Sequence, residues 1–198
     1  MTRIYLEGGG DSKELHTRCR EGFAKLPTRM GFTGRMPRLV ACGGRGAAYD
    51  DFRTAMQGRA PSAWVGLWVD SEEPMADLEA AWEHLGNQDR WDRPAGASDD
   101  DVLLMVTCME TWLVADRDAL AKHYGPKLHA KALPSLHDLE TRDRHAAQDA
   151  LEKATVDCTN PYRKGKRSFA LLAAISPDEV GGHCPSFVRC RRVLQEKL

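Results

Sequence analysis

Residues 63–70, AWVGLWVD, constrain the fold more than any other stretch, because they are apolar on both faces and end in a carboxylate. A strand buried on both sides reads as a continuous apolar run, and that pattern belongs to parallel sheets covered by helices. Three further segments read as strands: RIYLE (3–7), RLVACGG (38–44) and VLLMVTC (102–108). Helical patterns separate them. From Asp11 onward, Leu15, Cys19, Phe23 and Leu26 recur at helical spacing, and AAYDDFRTAM (47–56) follows the second strand. Pro74 suits a helix's first turn, with Leu78, Ala81, Trp82 and Leu85 as its apolar stripe. Residues 86–101 read as a polar loop. Helical patterns run to about Tyr124, and the remainder reads as short helices around a basic loop. This alternation predicts an open, mainly parallel α/β sheet with right-handed crossovers, whose sites form beyond the carboxyl ends of the strands.

Strand one ends in Glu7 and runs into three glycines, with Asp11 four residues on. Strand three ends in Asp70 and continues as Ser-Glu-Glu, placing Glu72. Strand four runs into CMET, placing Glu110. Three strands thus deliver carboxylates to one sheet edge, where unpaired like charges repel and raise one another's pKa values. Something positive belongs among them. An all-oxygen donor set favours Mg²⁺ or Mn²⁺ over zinc, and two such ions suit a phosphodiester displacement. Each acid also has a plainer role open to it. Asp11 with Glu14 fits a helix capping box, Glu72 and Glu73 suit the first turn of a helix, and Glu110 fits a helix start at the surface.

Composition narrows the classes. Of the 198 residues, 42% are hydrophobic, enough for a sizeable core and too many for a disordered chain. The net charge is −1, but eleven Asp/Glu face two Arg between Asp70 and Asp101, and eight Lys/Arg face three Asp/Glu from Pro161 onward. Cations at one place and polyanions at another would suit that asymmetry, as would solvated faces. The six cysteines include no CxxC pair and read as buried thiols of a reducing compartment. Cys158, His183, Cys184 and Cys190 match no zinc-ligand spacing. The N-terminal residues reach glycine before a signal sequence could form, and the longest apolar runs are too short to span a bilayer, so a cytoplasmic location is expected. GGGDSKEL and YRKGKRS do not satisfy the P-loop pattern, GGRGAAY lacks the last glycine of a dinucleotide fingerprint, and no GxSxG elbow is present.

The stretch YLEGGGDSKEL resembles the first motif of the Toprim domain, and GLWVDSEEP resembles its second, with Glu72 where an aspartate usually stands. Among Toprim proteins the chain is most similar to the overcoming-lysogenization-defect nucleases. CME resembles their Ser-x-Glu, with Cys108 in place of serine, and Lys164 in YRKGKRS matches their catalytic lysine. CMETWLVADRDALAKHYG and KGKRSFALLAAI look like small bacterial Toprim-like proteins encoded beside an ABC-type ATPase in phage-defence loci. The resemblance implies a Toprim-like core over 1–125 and a helical extension over 126–198, forming one compact domain, with loop 162–168 completing the site. It implies Glu7 and Lys164 as catalytic residues, and Glu7, Asp11, Asp70, Glu72 and Glu110 as ligands of Mg²⁺ or Mn²⁺. Arg45, Arg163, Lys166 and Arg167 are assigned to the nucleic-acid backbone. The implied activity is a metal-dependent nuclease acting on DNA or RNA, serving as an ATPase-controlled defence effector. A ribosomal-RNA processing nuclease, or a non-catalytic module binding an ATPase or nucleic acid, are the alternatives.

Overall fold

The structure is a computed structural model and describes residues 2–60 and 62–198. Four parallel strands, β1 (Arg3–Leu6), β2 (Arg38–Ala41), β3 (Val65–Asp70) and β4 (Val102–Met105), form one sheet in the order β2-β1-β3-β4. Leu6 pairs with Ala41 on one side and Trp68 on the other, and Asp70 pairs with Met105.

Side-chain alternation divides the core into two layers, as the pleat requires. Ile4, Leu6, Trp68, Leu103 and Met105 point to one face, and Tyr5, Val65, Leu67, Val69, Val102 and Leu104 to the other. The second face is covered by α2 (Arg45–Gln57), through Ala48, Tyr49, Phe52 and Met56, and by α3 (Ala81–Asp89), through Ala81, Trp82 and Leu85. The first is covered by α1 (Lys13–Arg29) and α4 (Met109–Ala115). After α5 (Arg117–Tyr124), the remaining helices are α6 (Arg144–Ala154), α7 (Lys166–Leu172), α8 (Pro177–Gly181) and α9 (Pro185–Lys197). They bury Leu151, Phe169, Leu172, Val180, Phe187 and Leu194 in the same cluster as α1 and α4. The contact of α1 with α7 is close: a Cβ on Gly22 would lie 2.7 Å from the Phe169 carbonyl oxygen. Among the described residues, no helix is long and apolar enough to cross a membrane.

Two expected boundaries move for local reasons. The helix expected from Pro74 begins only at Ala81. Asp77 accepts from the Glu79 amide at 2.9 Å in an Asx-type turn, and the helix start is capped from across the chain, where the Trp82 amide donates to Asp99 Oδ1 at 2.8 Å. At the first helix, Ser12 rather than Asp11 is the cap, accepting from the Leu15 amide at 3.1 Å.

Candidate metal centre

The chain leaves β1 toward β2 on one side, and β3 lies on the other, so the gap between β1 and β3 is the sheet's topological switch point. Glu7 and Asp70 occupy it. The Glu7 amide donates to the Trp68 carbonyl at 3.0 Å, and the Asp70 amide donates to Glu7 Oε2 at 3.2 Å. Asp70 Oδ1 accepts from the Met109 amide at 2.8 Å, which ties the end of β3 to the start of α4. Beyond β3 the backbone stays paired, Ser71 with Met105 and Glu72 with Thr107. Glu72 is thereby held at φ 69, a conformation non-glycine residues rarely adopt and one that strained functional positions often show. One carboxylate oxygen each from Glu7, Asp70 and Glu72 lies within 4.8 Å of the others. Oxygens sharing a cation at 2.0–2.6 Å stand up to about 4–5 Å apart, so the donor set fits a hard divalent ion.

Electrostatics point the same way. Asp70 is 5% exposed, and its carboxyl is pushed well above the usual carboxylate range by burial, then by the Glu7 and Glu110 charges. Lys164 and the Met109 amide oppose that shift. Burial pulls the Lys164 ammonium down, but Glu110, Asp70, Cys108 and Glu7 outweigh it and leave the group above its usual range. Lys164 lines a cavity of about 260 Å³ with Glu7 and Asp70, and a second of about 160 Å³ with Asp70, Glu72 and Glu110. It makes no ion pair among the described residues.

Arg45 is the fixed cation of the site. Its guanidinium holds Asp89 through two bonds, 2.9 Å from Nε to Oδ1 and 2.6 Å from Nη2 to Oδ2. Its Nη1 lies 3.6 Å from Glu7 Oε2 and donates to the Asp70 carbonyl. The guanidinium also sits 4.9 Å from the centre of the Trp91 ring, which is stacked on Tyr49 at 4.4 Å. A planar fork gripped on three sides orients Glu7 in a way a lysine could not.

The other half of the site comes from helices and loops. Glu110 is 1% exposed on α4 and accepts from the Tyr162 hydroxyl at 2.5 Å. Burial, and then the Glu110 charge, drive the Tyr162 hydroxyl far above its ordinary pKa, so it stays a donor. Arg144, at the start of α6, pairs with Glu72 Oε2. Cys108 is a neutral thiol, pushed up to about 12 by burial and then by the Asp70 and Glu110 charges.

Residues 6–195 match the family described as Domain of unknown function (DUF4276). The chain belongs to this family. Neither the curated proteins nor the solved structures provide a match. In this DUF4276 chain, Glu7, Asp70 and Glu72 converge, Glu110 lines a cleft with Asp70 and Glu72, and Lys164 lines that cleft and the one beside Glu7. Asp11 stands exposed, one residue before the Ser12 cap, outside the carboxylate cluster. Of the cations assigned to nucleic acid, Arg45 is engaged inside the site. Lys166 pairs with Glu14 at 3.0 Å, Arg167 donates to the Pro161 carbonyl, and Arg163 is exposed. Sequence reasoning missed Asp89, Arg144 and Tyr162. Tyr162 borders the basic loop that drew attention, whereas Asp89 and Arg144 carry no motif and reach the site only through the fold.

Proposed function

We propose that this chain is a Mg²⁺- or Mn²⁺-dependent nuclease of Toprim type, hydrolysing phosphodiester bonds of DNA or RNA. One observation carries the reading: three carboxylate oxygens lie within 4.8 Å of one another at the switch point, and Lys164, which makes no ion pair among the described residues, lines the clefts beside them. Bound there, two divalent ions would supply positive charge to the attacking and leaving oxygens of the phosphodiester. Glu7, Asp70 and Glu72 would hold one ion, and Glu110, which accepts from the Tyr162 hydroxyl, would serve a second. Arg45 keeps Glu7 in register. Lys164 is free to stabilise negative charge developing on the phosphate, a contribution of about 3 kcal/mol in comparable sites. Arg144 becomes available to the substrate backbone when Glu72 turns to a metal.

The resemblance adds an ABC-type ATPase as controlling partner and phage defence as the setting. Six unpaired cysteines, five of them buried, support a reducing, cytoplasmic location. The test is incubation of mixed DNA and RNA substrates with Mn²⁺, comparing wild type with Glu7→Ala. Cleavage by wild type and none by the variant is expected. Equal products from both would refute the assignment.

A further inference from the structure

The cavity of about 260 Å³ at the switch point has a mixed lining. Glu7, Asp70 and Lys164 are its charged members, while Leu15, Met105, Met109 and Phe169 are apolar and share it with the glycine turn. Metal ligands and a phosphate account for the charged members only. Gly9 is buried against His16, where a Cβ would lie 2.7 Å from the ring, so the turn packs down and its backbone forms one wall. The volume falls just below the ~300–1,000 Å³ of ordinary small-molecule sites, suiting a single flat ring system and too small for a base pair.

We propose that this cavity takes one unstacked nucleobase of the strand whose phosphate lies at the carboxylates. The proposal rests on the nuclease reading and adds a substrate class: single-stranded nucleic acid, or a strand melted or frayed at the cut. A base inside a duplex cannot reach such a pocket without leaving its stack, and bases already unpaired enter at least cost. Apolar and aromatic walls hold a base face without reading its sequence, so the preference is for strandedness rather than for one base. The pocket adjoins the carboxylate cleft, since Asp70 and Lys164 line both, so base and phosphate of one nucleotide can be held together.

The test is binding of adenosine 5′-monophosphate against ribose 5-phosphate, both with Mn²⁺, followed by cleavage of one oligonucleotide as a single strand and as a duplex. The nucleotide should bind at least about fivefold tighter than the sugar phosphate, the lower end of what base stacking contributes. The single strand should be cut faster than the duplex. Leu15→Trp, which fills the pocket from its rim, should erase the binding difference while leaving the Mn²⁺-induced rise in Tm intact. Equal binding of the two ligands by wild type, or a duplex cut as fast as the single strand, overturns the pocket assignment while the nuclease stands. A binding difference without any cleavage supports the pocket and overturns the nuclease reading alone.

Discussion

The two halves of the site are built by different means. Glu7 and Asp70 are carried by adjacent parallel strands, so the ladder pairing Leu6 with Trp68 sets their separation, and Arg45 locks the result. Glu72, Glu110 and Lys164 lie beyond the sheet, on a strained turn, a seven-residue buried helix and a loop ending at Gly165 with φ 109. The Glu72 and Glu110 carboxylates are engaged by side chains from distant segments: Arg144 on Glu72, Tyr162 on Glu110. The strand-borne acids are spaced by backbone hydrogen bonds that many residues share. The carboxylates beyond the sheet each depend on one side-chain partner for their orientation, and a loop-borne lysine could follow a substrate.

That contrast is broken most severely at Lys164. Lys164→Ala should lower cleavage by roughly 10²–10³ while leaving the Mn²⁺-induced rise in Tm unchanged, because the proposal sets the lysine against the substrate and not among the metal ligands. A parallel loss of the Tm rise would place it in the metal-holding half instead.

On the strand-borne half the sharper probe is Arg45→Lys. Lysine keeps the charge but cannot grip Asp89 through two bonds or stack on Trp91. Mn²⁺ affinity should fall about 10–100-fold, as for other groups that orient ligands, with folding retained. Calorimetric titration measures it, and unaltered affinity would show that Glu7 needs no orientation.

How much of this was legible beforehand follows the same division. The apolar runs and their terminal acids announced the parallel sheet and brought Glu7, Asp70, Glu72 and Glu110 to one edge, since strand direction converts position in sequence into position in space. Asp11 misled because a carboxylate before a helix looks alike whether it caps, binds metal or faces water; Ser12 took the cap. The helix read from Pro74 failed because Asp77 turns the backbone and Asp99, seventeen residues after Trp82, supplies the cap. Arg45 was taken for a nucleic-acid contact, and nothing local announced that Asp89 and Trp91 would enclose it. Contacts between distant side chains leave no period in a sequence.

Far from the carboxylate cluster, Glu140 offers a milder comparison. It accepts from the Ser186 amide and hydroxyl, and burial raises its pKa to about 7 despite those bonds. The folded state therefore keeps a proton that the unfolded chain has released above about pH 4.3. Stability from this group is present below that value and is lost as pH rises through about 7. Glu140→Gln should remove at most about 3 kcal/mol of this pH dependence, seen as a flatter Tm profile between pH 4.5 and 7.5. An unchanged profile would locate the dependence in other groups. The smallest effect is expected at Glu73, next to Glu72 but outside the cluster: Glu73→Gln should leave the Mn²⁺ response as in wild type.

The claim beneath all of these is that the switch-point carboxylates hold a divalent cation, and Asp70→Asn tests it with little risk to the fold. Asparagine retains an oxygen for the Met109 amide and removes a buried charge that the metal-free fold opposes. Because the Asp70 pKa is raised, wild-type stability without metal falls as pH climbs above the carboxylate's ordinary range. The variant should therefore fold at pH 8 with a Tm no lower than wild type. Titrated with Mn²⁺ at that pH, wild type should bind and gain in Tm by mass action, and Asp70→Asn should lose most of both. Equal Mn²⁺ binding by the two proteins would contradict the account.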